Sequence, residues 1–166
     1  MPVPEEITAP GALSHLNAEG QARMVDVSGK EPTLRMASAA AFVSMPKAVV
    51  KAVREGGLAK GDALGVAKVA GIMAAKKTSD LIPLCHPLAL SDVNVSLRLE
   101  KGGVNIASQA ITTGPTGVEM EALTAATVAA LTVYDMCKAV DRSIRIEMVE
   151  LTAKSGGRSG DWRRGG

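Results

Sequence analysis

At 166 residues, with 46% hydrophobic and 22% charged side chains, the chain has the makeup of one globular domain with a real core. Aromatic residues make up only 2%, one each of Trp, Tyr and Phe, so single-stranded nucleic acid finds almost no stacking platform here. A formal net charge of +2 gives no broad basic footprint, and an anionic ligand has to be held by a local cluster of Lys and Arg.

Residues 1–13 read as a flexible N-terminal arm, because MPVPEEITAP is acidic, Pro-rich and without a signal-peptide core. No apolar run is long enough to span a bilayer, and a soluble cytoplasmic protein with no membrane partner is expected. After His15, Met24-Val25-Asp26-Val27 is a short apolar patch broken by an acid, followed by the turn Ser28-Gly29-Lys30. Thr33 to Ser44 reads as a strand in spite of its alanines, which are poor strand formers, and Arg35 lies in it. Pro46 stands where the first turn of a helix tolerates proline, and PKAVVKAVREGG is a short amphipathic helix stopped by Gly56-Gly57.

Lys60-Gly61-Asp62 opens a second helical stretch, ALGVAKVAGIMAAKKTSD, rich in small residues. LIPLCHPLAL is a stiff connector with Pro83 and Pro87 on either side of His86. Asp92 to Glu100 alternates as a half-buried strand, Lys101-Gly102-Gly103 turns the chain, and Val104 to Thr113 returns as the partner strand. Gly114, Pro115 and Gly117 form a turn into a long helical segment that runs towards Arg142. Ser143 to Ala153 is a last alternating strand, and residues 162–166 close the chain as a basic, Gly-rich tail.

This order is the split βαβ pattern of an α+β, ferredoxin-like fold: a four-stranded antiparallel sheet covered on one face by helices, with no second domain. The small residues of the helices and the lack of large aromatics point to subunit packing as the completion of the structure, hence an oligomer.

On the long helix, with Asp135 at zero on a wheel of about 100° per residue, Glu121 falls at about +40° and Lys138 at about −60°, while Glu119 faces the other way. Asp135 and Lys138 are spaced to pair; an ordinary surface ion pair is the bland alternative, but the flanking Tyr134, Met136, Cys137 and Val140 suggest apolar surroundings and a shifted carboxylate. Lys60, just before a helix start, is placed to contact phosphate or to carry a proton, against the alternative of a solvated loop lysine. His86 is held in extended geometry by the proline that follows it, a fixed presentation of one imidazole, against the alternative of a packed histidine satisfied by backbone. Lys154-Ser155-Gly156-Gly157-Arg158-Ser159-Gly160 can wrap phosphate with backbone N–H groups and two cations, although it is not a Walker A loop. Cys85 and Cys137 follow no CxxC spacing and read as free thiols in a reducing compartment, and with only two histidines in the chain no metal site is expected. Many cations, few carboxylates and one rigid His suit a small polyphosphate substrate that undergoes acid/base chemistry.

Three runs, KGDALGVAKVAGIMAAKKTSDLIPLCHPL, TGVEMEALTAATVAALTVYDMCKAVDR and LTAKSGGRSGD, strongly resemble the molybdenum cofactor biosynthesis protein C family, the cyclic pyranopterin monophosphate synthases. The likeness extends from about Ser14 to Asp161. It implies a single ferredoxin-like catalytic domain over residues 14–161, assembled as a homo-hexamer, a trimer of dimers with active sites at the dimer interface. The implied substrate is a small molecule derived from GTP, (8S)-3′,8-cyclo-7,8-dihydroguanosine 5′-triphosphate. It is supplied by a radical-SAM enzyme, with which a functional contact is expected. The implied products are cyclic pyranopterin monophosphate and diphosphate, formed by rearrangement and cyclisation with no redox cofactor, although Mg²⁺ can travel with the triphosphate. The family's catalytic residues fall on Asp135, Lys60, Lys138 and His86. Its substrate-binding segments fall on Leu84, Cys85 and His86 and on Met120 and Glu121, with Arg35, Lys76 and Lys154 expected near phosphates. Pro115 stands where some relatives carry Lys. Two other readings stay open at this point, a nucleotide- or RNA-binding module of the same fold and a catalytically inactive scaffold. The scarcity of aromatics weighs against RNA binding, and the intact set of Lys60, His86, Asp135 and Lys138 weighs against a scaffold.

Overall fold

The computed structural model describes residues 20–165, so the arm expected over residues 1–13, and His15 with it, lies outside the described residues. The chain runs β1 (Thr33–Ser44), α1 (Lys47–Arg54), α2 (Ala63–Ala75), α3 (Thr78–Leu81), β2 (Leu90–Leu99), β3 (Gly103–Gly114), α4 (Glu119–Cys137), β4 (Arg145–Ser155) and β5 (Trp162–Arg163). The strands form one sheet in the order β2-β3-β1-β4-β5, every neighbouring pair antiparallel. Its first four strands reproduce the ferredoxin-like order. The fifth comes from the stretch expected to be a tail: Trp162 and Arg163 pair with Lys154 and Ala153 and extend the sheet beyond the four strands anticipated.

Alternation decides which face of the sheet carries the helices. Ala37, Ala39, Ala41 and Val43 of β1 are buried, and their register partners Ala110, Ser108, Ile106 and Val104 on β3 are buried with them. This row lies under α4, whose own buried residues include Ala122, Ala125, Ala126, Ala129 and Ala130. The alanines of β1 are therefore explained by what covers them: small side chains on both surfaces bring the helix close to the sheet. Ser108, buried in the row, donates its Oγ hydrogen bond to the Ala122 carbonyl at 2.7 Å and ties α4 to β3.

The same logic joins the two main helices. A Cβ built on Gly71 of α2 would lie 2.8 Å from the Ala125 carbonyl oxygen and 3.2 Å from the Ala129 Cβ of α4. At this crossing the small residues serve helix packing within the chain. What α2 turns outward is larger: Val66, Val69 and Met73 are exposed, as is Leu131 on α4.

The helical stretch expected over residues 63–80 breaks at Lys76-Lys77. Thr78 is buried, its hydroxyl donates back to the Ala75 carbonyl at 3.0 Å, and α3 restarts as a single turn. Asp62 caps α2, its carboxylate accepting from the Gly65 N–H at 2.9 Å. Among the described residues no helix is long and apolar enough to cross a membrane.

Candidate active site

The C-terminal end of α4 carries an ion trio. Asp135 accepts from Lys138 Nζ at 2.7 Å through one carboxylate oxygen and from Lys60 Nζ at 2.6 Å through the other. Lys138 reaches Asp135 by the i,i+3 spacing visible in the sequence. Lys60 arrives from the loop before α2, and its Nζ also donates to the Asp135 backbone carbonyl at 3.2 Å. That carbonyl belongs to the last turn of α4, where backbone acceptors lack helical donors and the dipole favours cations. The hydrogen bond from Lys138, then that from Lys60, hold the Asp135 carboxyl down from an ordinary 3.8 to about 2. The anticipated shift is present, but its origin differs from the apolar surroundings expected. The three side chains are 45–49% exposed, and hydrogen bonding outweighs desolvation. The anion contact expected at the start of α2 is also modified, since Asp62 already occupies that helix end and Lys60 points to Asp135.

The N-terminal end of α4 borders two adjoining clefts. One is lined by Leu84, Cys85 and His86 of the connector and by Met120 and Glu121 of α4, and is closed from the side by Val25, Val27 and Lys30. Here His86 Nε2 lies 2.7 Å from the Val25 carbonyl oxygen. A carbonyl can only accept, so Nε2 carries the hydrogen and donates it. Glu121 is only 4% exposed, and burial pushes its carboxyl up from an ordinary 4.5, helped by the neighbouring Glu119 charge. Burial likewise raises the Cys85 thiol.

The second cleft, about 750 Å³, gathers Lys30, Arg35, Lys154 and Arg158 around the Gly156-Gly157 turn. Lys154 pairs with Glu119 at 3.1 Å, and Arg35 Nη2 donates to the Pro115 carbonyl at 3.5 Å while its buried Nε has no partner among the described residues. Gly156 and Gly157 take φ of +91° and +75°, and a Cβ on Gly157 would collide with the Arg35 guanidinium. Glycine is needed there to let the turn close on Arg35. Lys30, Thr116, Gly117 and Glu119 line both clefts, which are continuous around the start of α4.

Of the expected site residues, Asp135, Lys60 and Lys138 meet in the trio. Leu84, Cys85, His86, Met120 and Glu121 meet in the first cleft, and Arg35 and Lys154 in the second. Lys76 lines neither cleft; it is exposed at the C-terminal end of α2. Pro115, the position that differs from some relatives, does face the cationic cleft. Lys30 and Glu119 were not singled out. Lys30 carried a faint signal as a lysine in a turn shortly before Arg35, whereas the helix wheel placed Glu119 away from Asp135 and could not show that β4 would bring Lys154 to it.

The trio and the clefts do not meet within one chain. Glu121 and Asp135 are separated along α4 by about 21 Å at 1.5 Å per residue. The stripe that joins them runs from buried Glu121 and Thr124 to exposed Leu131 and the half-exposed Asp135.

Residues 24–157 match the MoaC family. The cyclic pyranopterin monophosphate synthase of Thermomicrobium roseum is 56% identical over 154 residues, which cover 92% of this chain and 93% of that protein. The synthase of Chloroflexus aggregans is 55% identical with the same coverage. Cyclic pyranopterin monophosphate synthase 1 of Mycobacterium tuberculosis is 54% identical, over 92% of this chain and 91% of its own. The chain belongs to the MoaC family.

Proposed function

We propose that this chain is a cyclic pyranopterin monophosphate synthase. It converts (8S)-3′,8-cyclo-7,8-dihydroguanosine 5′-triphosphate to cyclic pyranopterin monophosphate and diphosphate in the cytoplasm. The observation that carries the reading is Asp135 held between two lysine ammonium groups, on a chain 55% identical to a named synthase. A carboxylate that stays ionised down to a pH of about 2 keeps Lys60 and Lys138 oriented throughout the working range. Each lysine is a point donor on a flexible stem, suited to carry a proton between ring positions as one ring opens and another closes. His86 presents its ring edge to the same substrate. The cluster of Lys30, Arg35, Lys154 and Arg158 supplies the positive charge that a triphosphate requires and that diphosphate requires on leaving. The net conversion moves protons and displaces diphosphate, and asks for no redox cofactor. Both cysteines are free, which suits a reducing compartment.

The working site takes the trio from one copy and the two clefts from another, in the trimer-of-dimers hexamer that the sequence resemblance implies. Two features support this: the separation of the halves along α4, and the outward row of Val66, Val69 and Met73 beside Leu131, apolar surface that a second copy would bury.

Incubation of the purified protein with the cyclised GTP, followed by mass spectrometry, tests the activity. Wild type is expected to form both products, and Lys60→Ala and Lys138→Ala to lose about 10²-fold or more in turnover, the scale of a removed acid/base group. Near wild-type turnover in both variants would refute the assignment of the lysines. No product from correctly assembled wild type would refute the synthase reading.

A further inference from the structure

The connector that presents His86 has few fixed points. Residues 82–89 belong to no helix or strand, and Pro87 has no N–H to give. At its entry, Cys85 N–H donates to the Ile82 carbonyl at 3.1 Å. In the middle, the imidazole holds the Val25 carbonyl. At its exit, three residues beyond His86, the Ala89 carbonyl accepts from the Thr112 hydroxyl at 2.7 Å. Thr112 is 1% exposed, stands on β3 and lines neither cleft. Its register partners are Arg35 on β1 and Leu90 on β2, and the β2 pairing slips immediately afterwards, between Leu90 and Asp92. The ladder is thus irregular at the point where the connector joins the sheet, and the side-chain bond to Ala89 reaches one residue further than the pairing does.

We propose that Thr112 is a positioning residue for the reaction. Its hydroxyl fixes the connector at Ala89 and thereby fixes the His86 imidazole in the cleft. Between the anchor and the imidazole lie only Pro87, with its locked φ, and Leu88, packed against the core. A displacement at Ala89 is transmitted along this short, stiff segment and is not absorbed by it. Catalytic geometry is sensitive on this scale: a misplacement of about 1 Å can cost about 10²-fold in rate.

The inference rests on the synthase reading for its kinetic consequence and on the fold alone for its structural one, so the two can be tested apart. Thr112→Val keeps the shape of the side chain and removes the hydroxyl, while Thr112→Ser keeps the hydroxyl. In the full chain, the His86 ring signals in ¹⁵N-resolved NMR, assigned with His86→Gln, are expected to shift in the Val variant and to return in the Ser variant. Turnover of the cyclised GTP by the Val variant is expected to fall about tenfold in kcat, within the range that mispositioning produces, with Ser restoring it. A purely structural Thr112 would lower thermal stability and leave both the ring signals and kcat in the folded fraction unchanged, and that result would overturn the proposal. Failure of Ser to restore the ring signals would also overturn it. A wild type that forms no product would defeat the synthase reading, while the ring signals would still decide whether Thr112 positions His86.

Discussion

Two carboxylates on one helix are driven in opposite directions. Asp135 is depressed to about 2 by its lysines, so its ion pairs contribute fully above the ordinary 3.8 and are lost only as pH falls through about 2. Glu121 is raised by burial, so the folded state holds its proton more tightly than the unfolded state does. Its contribution is favourable at acid pH and is lost as pH rises from the ordinary 4.5 through the raised folded value. Glu121→Gln removes that loss. The variant is expected to melt higher than wild type at pH 8 and close to wild type at pH 4; equal melting temperatures at both would show that the carboxylate is solvated after all. Of this residue-scale picture, the sequence displayed the Asp135–Lys138 spacing and the stiff presentation of His86. It could not display Lys60 on Asp135, 75 positions away, or the Val25 carbonyl on the imidazole, 61 positions away, because tertiary folding alone makes those contacts.

At the scale of elements, the contact between α2 and α4 turns on Gly71. Gly71→Ala puts a methyl group 2.8 Å from a backbone carbonyl, where no flexible side chain can yield, so the helices must separate. A loss of about 1–3 kcal/mol in urea unfolding is expected, as for overpacking elsewhere. A gain, such as helix propensity alone would give, would show that the crossing is looser than described. The strand read over Thr33–Ser44 matches β1 to the residue in spite of its alanines, and the turns made the hairpin of β2 and β3 legible. The break before α3 was hidden because Lys76-Lys77-Thr78 contains no Gly or Pro. β5 was hidden because two residues carry no periodicity.

For the whole molecule, the ferredoxin-like arrangement sets the ends of α4 apart and gives each end its own chemistry. Lys60 and Lys138 stand at the end where the helix dipole favours cations, and the His86 cleft and the Lys- and Arg-lined cleft stand at the other. The sequence identified nearly all of these side chains, but not that one chain would hold them in two separate groups, because helical spacing gives a shared face and says little about what covers each part of it. The central claim is that the two groups form one site across two copies, and mixed assemblies test it most directly. Lys60→Ala and His86→Ala, each inactive alone, are co-expressed with different tags and recovered together. A two-fold pair then contains one site with both halves intact, and random pairing is expected to restore roughly a quarter of wild-type turnover. Mixed assemblies that stay as inactive as either parent would contradict the account and return both halves of the site to a single chain.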